Sequence, residues 1–155
     1  VLMPRFYQPK VTGKRLPIGI ILHHSQAHYA KIANRDGIRV ISIERKSESE
    51  IEAFVDEVCS CEKIFTTSLH GLIIAQAYGV PVQWIELQGT PIHEEASHKF
   101  FDYFEGAMVN PQNPISINVG SEGFSNLRNL EVSYATVPRE VGQRLIDVIQ
   151  PYVSK

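Results

Sequence analysis

Thr66-Thr67-Ser68-Leu69-His70-Gly71-Leu72-Ile73-Ile74-Ala75-Gln76-Ala77-Tyr78-Gly79-Val80-Pro81 reads as a strand ending in hydroxyl residues, a turn, and an apolar helix stopped at Gly79-Val80-Pro81. Gly79 suits the left-handed position after a helix, and Pro81 cannot continue one. A helix start offers unpaired N–H groups and a partial positive charge, which suits an anion. A histidine buried at that start, here His70, can also deliver a proton. The segment therefore points to a site for a phosphorylated or carboxylated small molecule.

Working outward, the pattern alternates strands and helices. Leu16 to Ser25 is a short apolar run rich in β-branched residues, the mark of a buried parallel strand. Gln26 to Arg35 predicts a helix closed by Asp36-Gly37. Arg39 to Glu44 alternates as a second strand. Ser47 with Glu50 is a capping-box pair, and Ile51, Phe54, Val55 and Val58 follow at helical spacing, so Ser49 to Cys59 predicts an amphipathic helix. Lys63 to Thr67 is the third strand, Leu69 to Tyr78 a helix apolar on nearly every face, and Val82 to Leu87 the fourth strand. Strands and helices alternating at this spacing predict an α/β fold: a Rossmann-like parallel sheet with helices on both faces. Beyond Gln88 the pattern predicts a short aromatic helix at Ser97 to Glu105, loop at Asn110 to Asn118, a short strand at Ile115 to Val119 and a flexible surface connection from Gly120 to Asn129. Pro138 opens a last helix, about 138–153, with Val141, Leu145, Val148, Ile149 and Tyr152 on one side.

The 155 residues are most simply one domain, with a core at about 16–110. A chain of this length buries roughly 70% of its unfolded surface and needs no disulfide or metal to fold. Its 43% hydrophobic and 21% charged content is that of a folded globular protein. The net charge of −2 argues against a general nucleic-acid or anionic-membrane binder. Cys59 and Cys61 stand too close for a relaxed bridge on a helix and point to a reducing compartment; their reading is a helix end with one thiol turned inward. There is no signal peptide and no long apolar run, so a cytoplasmic protein is expected. Val1-Leu2-Met3-Pro4 does not read as a translation start, so a preceding N-terminal domain is also expected.

In open α/β sheets ligands gather at the carboxyl ends of the strands. Three groups fall there: His23 and His24 after the first strand, Glu44-Arg45-Lys46 after the second, and Ser68-Leu69-His70-Gly71 after the third. Alternation sends the His23 and His24 side chains to opposite faces, so one of them reaches the cleft. Arg45 and Lys46 read either as a phosphate clamp or as a solvated turn. An exposed helix terminus contributes only about 0.3–1 kcal/mol to holding an anion, so a multiply charged ligand needs at least one Arg or Lys besides. His24 and His28 stand at i and i+4, but no Asp, Glu or Cys completes a metal set, and no metal or cofactor is expected. Phe100, Phe101, Tyr103 and Phe104 are either a substrate platform or, for the phenylalanines, core.

Thr67-Ser68-Leu69-His70-Gly71-Leu72-Ile73-Ile74-Ala75, joined to Tyr78-Gly79-Val80-Pro81, resembles the signature of the polysaccharide pyruvyl transferase family. Ile18-Gly19-Ile20-Ile21-Leu22-His23-His24 resembles the family's strand ending in Pro-His, with Leu22 in place of the proline. Phe100-Phe101-Asp102-Tyr103-Phe104 is similar to its Lys-Phe-x-Asp-Tyr-Tyr segment. Many relatives carry Arg before Leu-His, where this chain has Ser68. A phosphate partner must then come from Arg45, Lys46, Arg15 or the absent domain.

The resemblance implies a two-domain enzyme of GT-B type with this chain as its C-terminal half, inactive alone. It implies pyruvyl transfer from phosphoenolpyruvate to a sugar of a surface polysaccharide or its lipid-linked precursor, and so a location in the cytoplasm, peripheral to the inner membrane. On that reading His70 is the catalytic acid or the main phosphate contact. Ser68 and the amides of Leu69, His70 and Gly71 hold the anion, and His23 or His24 adds a polar contact. The alternatives are half of a GT-B glycosyltransferase using a nucleotide sugar, a non-catalytic anion- or sugar-binding module, and, third, a zinc hydrolase built on His23, His24, His28 and His70.

Overall fold

A computed structural model describes residues 2–11, 15–90, 92, 96–132 and 136–153. The elements run α1 (Met3–Phe6), β1 (Leu16–Ile21), a 3₁₀ helix (His24–Tyr29), α2 (Ala30–Arg35), β2 (Arg39–Val40), α3 (Glu48–Cys59), β3 (Cys61–Thr66) and α4 (Leu69–Ala77). They continue as β4 (Val82–Leu87), α5 (Ala96–Gly106), β5 (Ile115–Ile117), α6 (Val119–Glu122), a second 3₁₀ helix (Ser125–Asn129) and α7 (Arg139–Val153).

The five strands form one sheet in the order β2-β1-β3-β4-β5, every pair parallel. Period-two alternation splits the strand side chains between two cores. Ile21, Ile64, Val82 and Trp84 pack with Phe54, Val55 and Val58 of α3, Leu72 and Ala75 of α4, and Phe100 and Phe104 of α5. Ile18, Ile20, Phe65, Ile85 and Leu87 face the other way, onto Ala33 of α2, Val119 of α6, and Phe124 and Leu127. Helices thus cover both faces, as the strand pattern predicts for a Rossmann-like sheet.

The ends of α3 and α4 follow their local chemistry. Ser47 Oγ accepts the Glu50 N–H at 3.3 Å, and the Glu50 carboxylate reaches back to the Lys46 N–H at 2.7 Å. At the end of α4, Gly79 adopts φ 67°, and the Val80 N–H bonds back to the Ala75 carbonyl at 2.8 Å, which turns the chain into β4.

Four expectations are corrected. The second strand pairs only over Arg39–Val40, because it lies at the sheet edge and the Ser42 hydroxyl takes the Glu44 N–H away from any ladder. The first half of the predicted helix at 26–35 is 3₁₀, set by the His23 ring accepting the Ser25 N–H. Both thiols are buried, because Cys59 ends α3 and Cys61 opens β3 against the same core. The connection at 120–129 is no surface loop: Phe124 and Leu127 are fully buried under the second face of the sheet. The Lys63 ammonium fastens it there by donating to the carbonyls of Arg128 and Leu130. On α7, Leu145 and Val148 are exposed while Val141 is buried. Ile149 and Tyr152, which the sequence puts on the same side, lie outside the residues whose side chains are described.

Candidate functional site at the β1/β3 switch

β1 has its earlier-connected neighbour β2 on one side and β3 on the other, so the strand order reverses between β1 and β3. At such a switch point the two following loops part and leave a crevice at the carboxyl edge. The turn holding His23 and His24 follows β1, and Ser68-Leu69-His70-Gly71 follows β3. The fold brings these two predicted groups together.

Two threonines lace the edge. The Ile21 carbonyl accepts the Thr67 N–H at 3.0 Å, extending the ladder one step past the paired residues Ile21 and Thr66. The Thr66 hydroxyl lies 3.0 Å from the Ile21 carbonyl and 2.9 Å from the Ser68 carbonyl, either of which can take its proton, and it accepts the Ser68 N–H at 2.9 Å. The Thr67 hydroxyl accepts the His23 N–H at 2.8 Å. Both threonines and Ser68 are buried. The sequence displayed Thr66-Thr67 as a strand end. Nothing in spacing alone told that their hydroxyls would tie two loops together.

Ser68 is the N-cap of α4, in extended geometry, and its side chain makes no capping bond. The first-turn amides at 69–71 therefore have no hydroxyl of their own cap to satisfy them, which keeps the helix terminus available to an anion. Leu69 is half-buried against the first core. Gly71 is buried, and the space a Cβ would need is filled by Thr66 Oγ1 at 2.6 Å and Ile21 Cγ2 at 2.9 Å. Glycine is needed here to dock α4 on the sheet, so any contact of Gly71 with a ligand comes from its amide. His70 departs from the buried histidine expected from the sequence. Among the described residues it is the one exposed position of α4, because the helix turns Leu72, Ala75 and Gln76 inward and this second helical residue outward.

His23 is half-buried and caps the 3₁₀ helix, its Nδ1 2.8 Å from Ser25 Oγ. His24 is exposed, and the two rings, expected on opposite faces, instead lie 4.0 Å apart between centroids, because β1 has ended at Ile21 and strand alternation no longer applies. Gln26, also buried at this edge, donates from Nε2 to the Thr90 carbonyl past the end of β4, and its Oε1 has no partner among the described residues. His24 and His28 share a 3₁₀ helix, in which i and i+3 rather than i+4 eclipse. Among the described residues no group of three ligating side chains could hold a metal ion.

Arg45 turns back along α3, with Nη2 3.0 Å from Glu57 Oε1 and its guanidinium over the Phe54 ring. The same carboxylate holds Arg39, level with Gly19 in β1. Arg45 is thus committed to α3, while Lys46 is exposed. Phe100 stacks on Trp84 at 4.2 Å, and Phe100 and Phe104 are core; Phe101 is 43% exposed at the edge of Trp84. Two cavities lined by described residues open elsewhere. One of about 650 Å³ lies between Arg5, Ala77 and Arg139, and one of about 490 Å³ between Lys63, Pro81 and Arg128, below the amino ends of β3 and β4. Neither has the parted loops of the switch point, which makes the carboxyl edge the better candidate.

Residues 12–88, which hold β1 through β4 and both loops of this edge, match the model of the family described as polysaccharide pyruvyl transferase. Over that stretch the chain belongs to the polysaccharide pyruvyl transferase family. It is also 35% identical over 54 residues to an uncharacterized protein of Acanthamoeba polyphaga mimivirus, a match covering 35% of this chain and 18% of that protein. The chain therefore spans under a fifth of the length of that relative. No solved structure gives a significant match. As a member of a transferase family, the chain has its Ser-Leu-His-Gly motif where an α/β sheet presents ligands. Among the described residues no helix is long and apolar enough to cross a membrane.

Proposed function

We propose that this chain is the donor-binding half of an enzyme that transfers a pyruvyl group from phosphoenolpyruvate to a saccharide hydroxyl. The observation that carries the reading is an exposed imidazole on the uncapped first turn of α4, at the sheet's switch point. The donor has an enol phosphate and a carboxylate. Protonation of its methylene carbon makes the neighbouring carbon electrophilic. A sugar hydroxyl adds there and gives up its proton to a base. The C–O bond to phosphate then breaks, with its electron pair leaving on phosphate, and a second hydroxyl adds to the oxocarbenium carbon so formed and loses its proton to close the ketal. His70 supplies the proton or holds the phosphate, and the amides of residues 69–71 neutralise the anion. The His23 and His24 turn stands across the crevice as the second polar wall. Lys46 is the exposed member of the Arg45/Lys46 pair, with no ion pair among the described residues, and the facing half of a GT-B-like enzyme supplies the acceptor and further charge. The acceptor is a sugar of a surface polysaccharide or its lipid-linked precursor, which puts the enzyme in the cytoplasm at the membrane face.

Titrating the isotope-labelled protein with phosphoenolpyruvate is expected to move the amide resonances of Leu69, His70 and Gly71. Movement with a UDP-sugar alone would instead support the nucleotide-sugar transferase. In the complete enzyme His70→Ala is expected to slow transfer by roughly 100-fold or more, the usual worth of a positioned proton donor. An unchanged rate removes His70 from its role.

A further inference from the structure

In a regular parallel ladder the backbone bonds step along both strands. After the Thr67 N–H bonds the Ile21 carbonyl, the next acceptor, for the His23 N–H, is the Thr67 carbonyl. Here the chain has already swung toward the Ser68 cap, and the His23 N–H goes to the Thr67 hydroxyl instead, at 2.8 Å. A side chain has taken the place of its own backbone carbonyl. The ladder between β1 and β3 so gains one rung past the strands, while the backbone of β3 is released to start α4.

We propose that Thr67 is a positioning residue that sets the His23 turn against the α4 terminus, so that both contact the same donor. The inference rests on the donor site proposed above and adds a residue that acts through His23. Three features favour position over bulk. Thr67 is 1% exposed and so does not meet the ligand itself. Its hydroxyl bonds a backbone N–H rather than filling space. Its neighbour Thr66 separately secures the Ser68 N–H, so the α4 cap does not depend on Thr67. Valine at 67 keeps the shape, removes the acceptor and leaves the His23 N–H with no ladder partner.

The test is a double-mutant cycle on phosphoenolpyruvate affinity, read from the amide shifts of residues 69–71 in the folded proteins. Thr67→Val and His23→Ala are each expected to weaken binding by about tenfold, the worth of one lost charge-assisted hydrogen bond. The double variant is expected to be no weaker than either alone, because Thr67 acts only through His23. Thr67→Ser, which restores the acceptor, is expected to bind within about twofold of the parent. A merely structural threonine would give additive losses. Additive losses, or parental affinity in Thr67→Val, overturn the positioning role while leaving the donor site standing. If the parent protein shows no shift at residues 69–71 with phosphoenolpyruvate, the donor site and this inference fall together. Should Thr67→Val not fold, Thr67→Ala combined with His23→Ala closes the same cycle.

Discussion

Thr66 Oγ1 lies 2.6 Å from the point that a Cβ on Gly71 would occupy, and Ile21 closes the same space from β1. The missing side chain lets the first turn of α4 press onto the carboxyl ends of two strands. Alanine would gain about 0.5–1 kcal/mol of helix propensity. Overpacking costs about 1–3 kcal/mol and wins, because the atoms in the way are a strand residue and a hydroxyl with three bonding neighbours. Gly71→Ala is expected to lower the urea midpoint with an unchanged slope. A midpoint at or above that of the parent would show that α4 can ride outward freely.

Arg45 is expected to be a structural cation. Its side chain is 17% exposed and bonded to Glu57, which also holds Arg39. Glu57→Gln leaves two guanidinium groups without their counter-charge. It is expected to cost about 1 kcal/mol at low salt and less in high salt, measured by denaturant unfolding at two ionic strengths. Arg45→Met is expected to leave phosphoenolpyruvate affinity unchanged, and a clear loss of affinity there would return Arg45 to the donor site.

Leu127 is fully buried in the second core although it lies between polar residues. Leu127→Ala is expected to destabilise by about 2–5 kcal/mol, the range for a buried leucine that leaves a cavity. Thermal unfolding measures it. A loss under half a kcal/mol would mean that the Ser125–Asn129 turn adds little to the core.

Burial pushes the Cys59 thiol from its ordinary value of 9.0 up to about 11. The folded state thus holds its proton more tightly than the unfolded chain does. The contribution is fully present below pH 9, where both states are protonated, and is lost as pH rises from about 9 to about 11. Cys59→Ala is expected to flatten that alkaline fall in the urea midpoint. Retention of the full slope in the variant would assign it to other groups, such as Cys61, whose thiol burial also raises from 9.0.

Much of the sheet was legible because each strand is short, apolar and closed by its own stop. Val82–Leu87 matches its predicted bounds, and Leu69–Ala77 falls one residue short of its own. The edge strand was not legible past Val40, since alternation in Ile41, Ile43 and their neighbours says nothing about whether a partner strand remains alongside. Phe124 and Leu127 were missed because two apolar residues three apart, in a stretch of Gly, Ser and Asn, carry too little periodicity to declare a buried face. In the site, His70 and its helix start were visible from Ser-Leu-His-Gly, but its exposure was not, because a helix apolar on nearly every face does not show which of its two polar residues, His70 or Gln76, turns outward. Arg45 could be read as a phosphate clamp or a solvated turn only while Glu57, twelve residues away, had no place in space.

Composition, strand spacing and the stop signals settle the parallel α/β layering and the family motif, because those depend on local periodicity and on turn residues that act within a few positions. Folding alone decides that the Thr67 hydroxyl replaces a carbonyl beneath His23, that Gly71 has no room for a methyl, and that Glu57 withdraws Arg45. Each of these joins residues from different elements, and hydrogen bonds, contact distances and ion pairs act only where the sheet has already set those elements side by side.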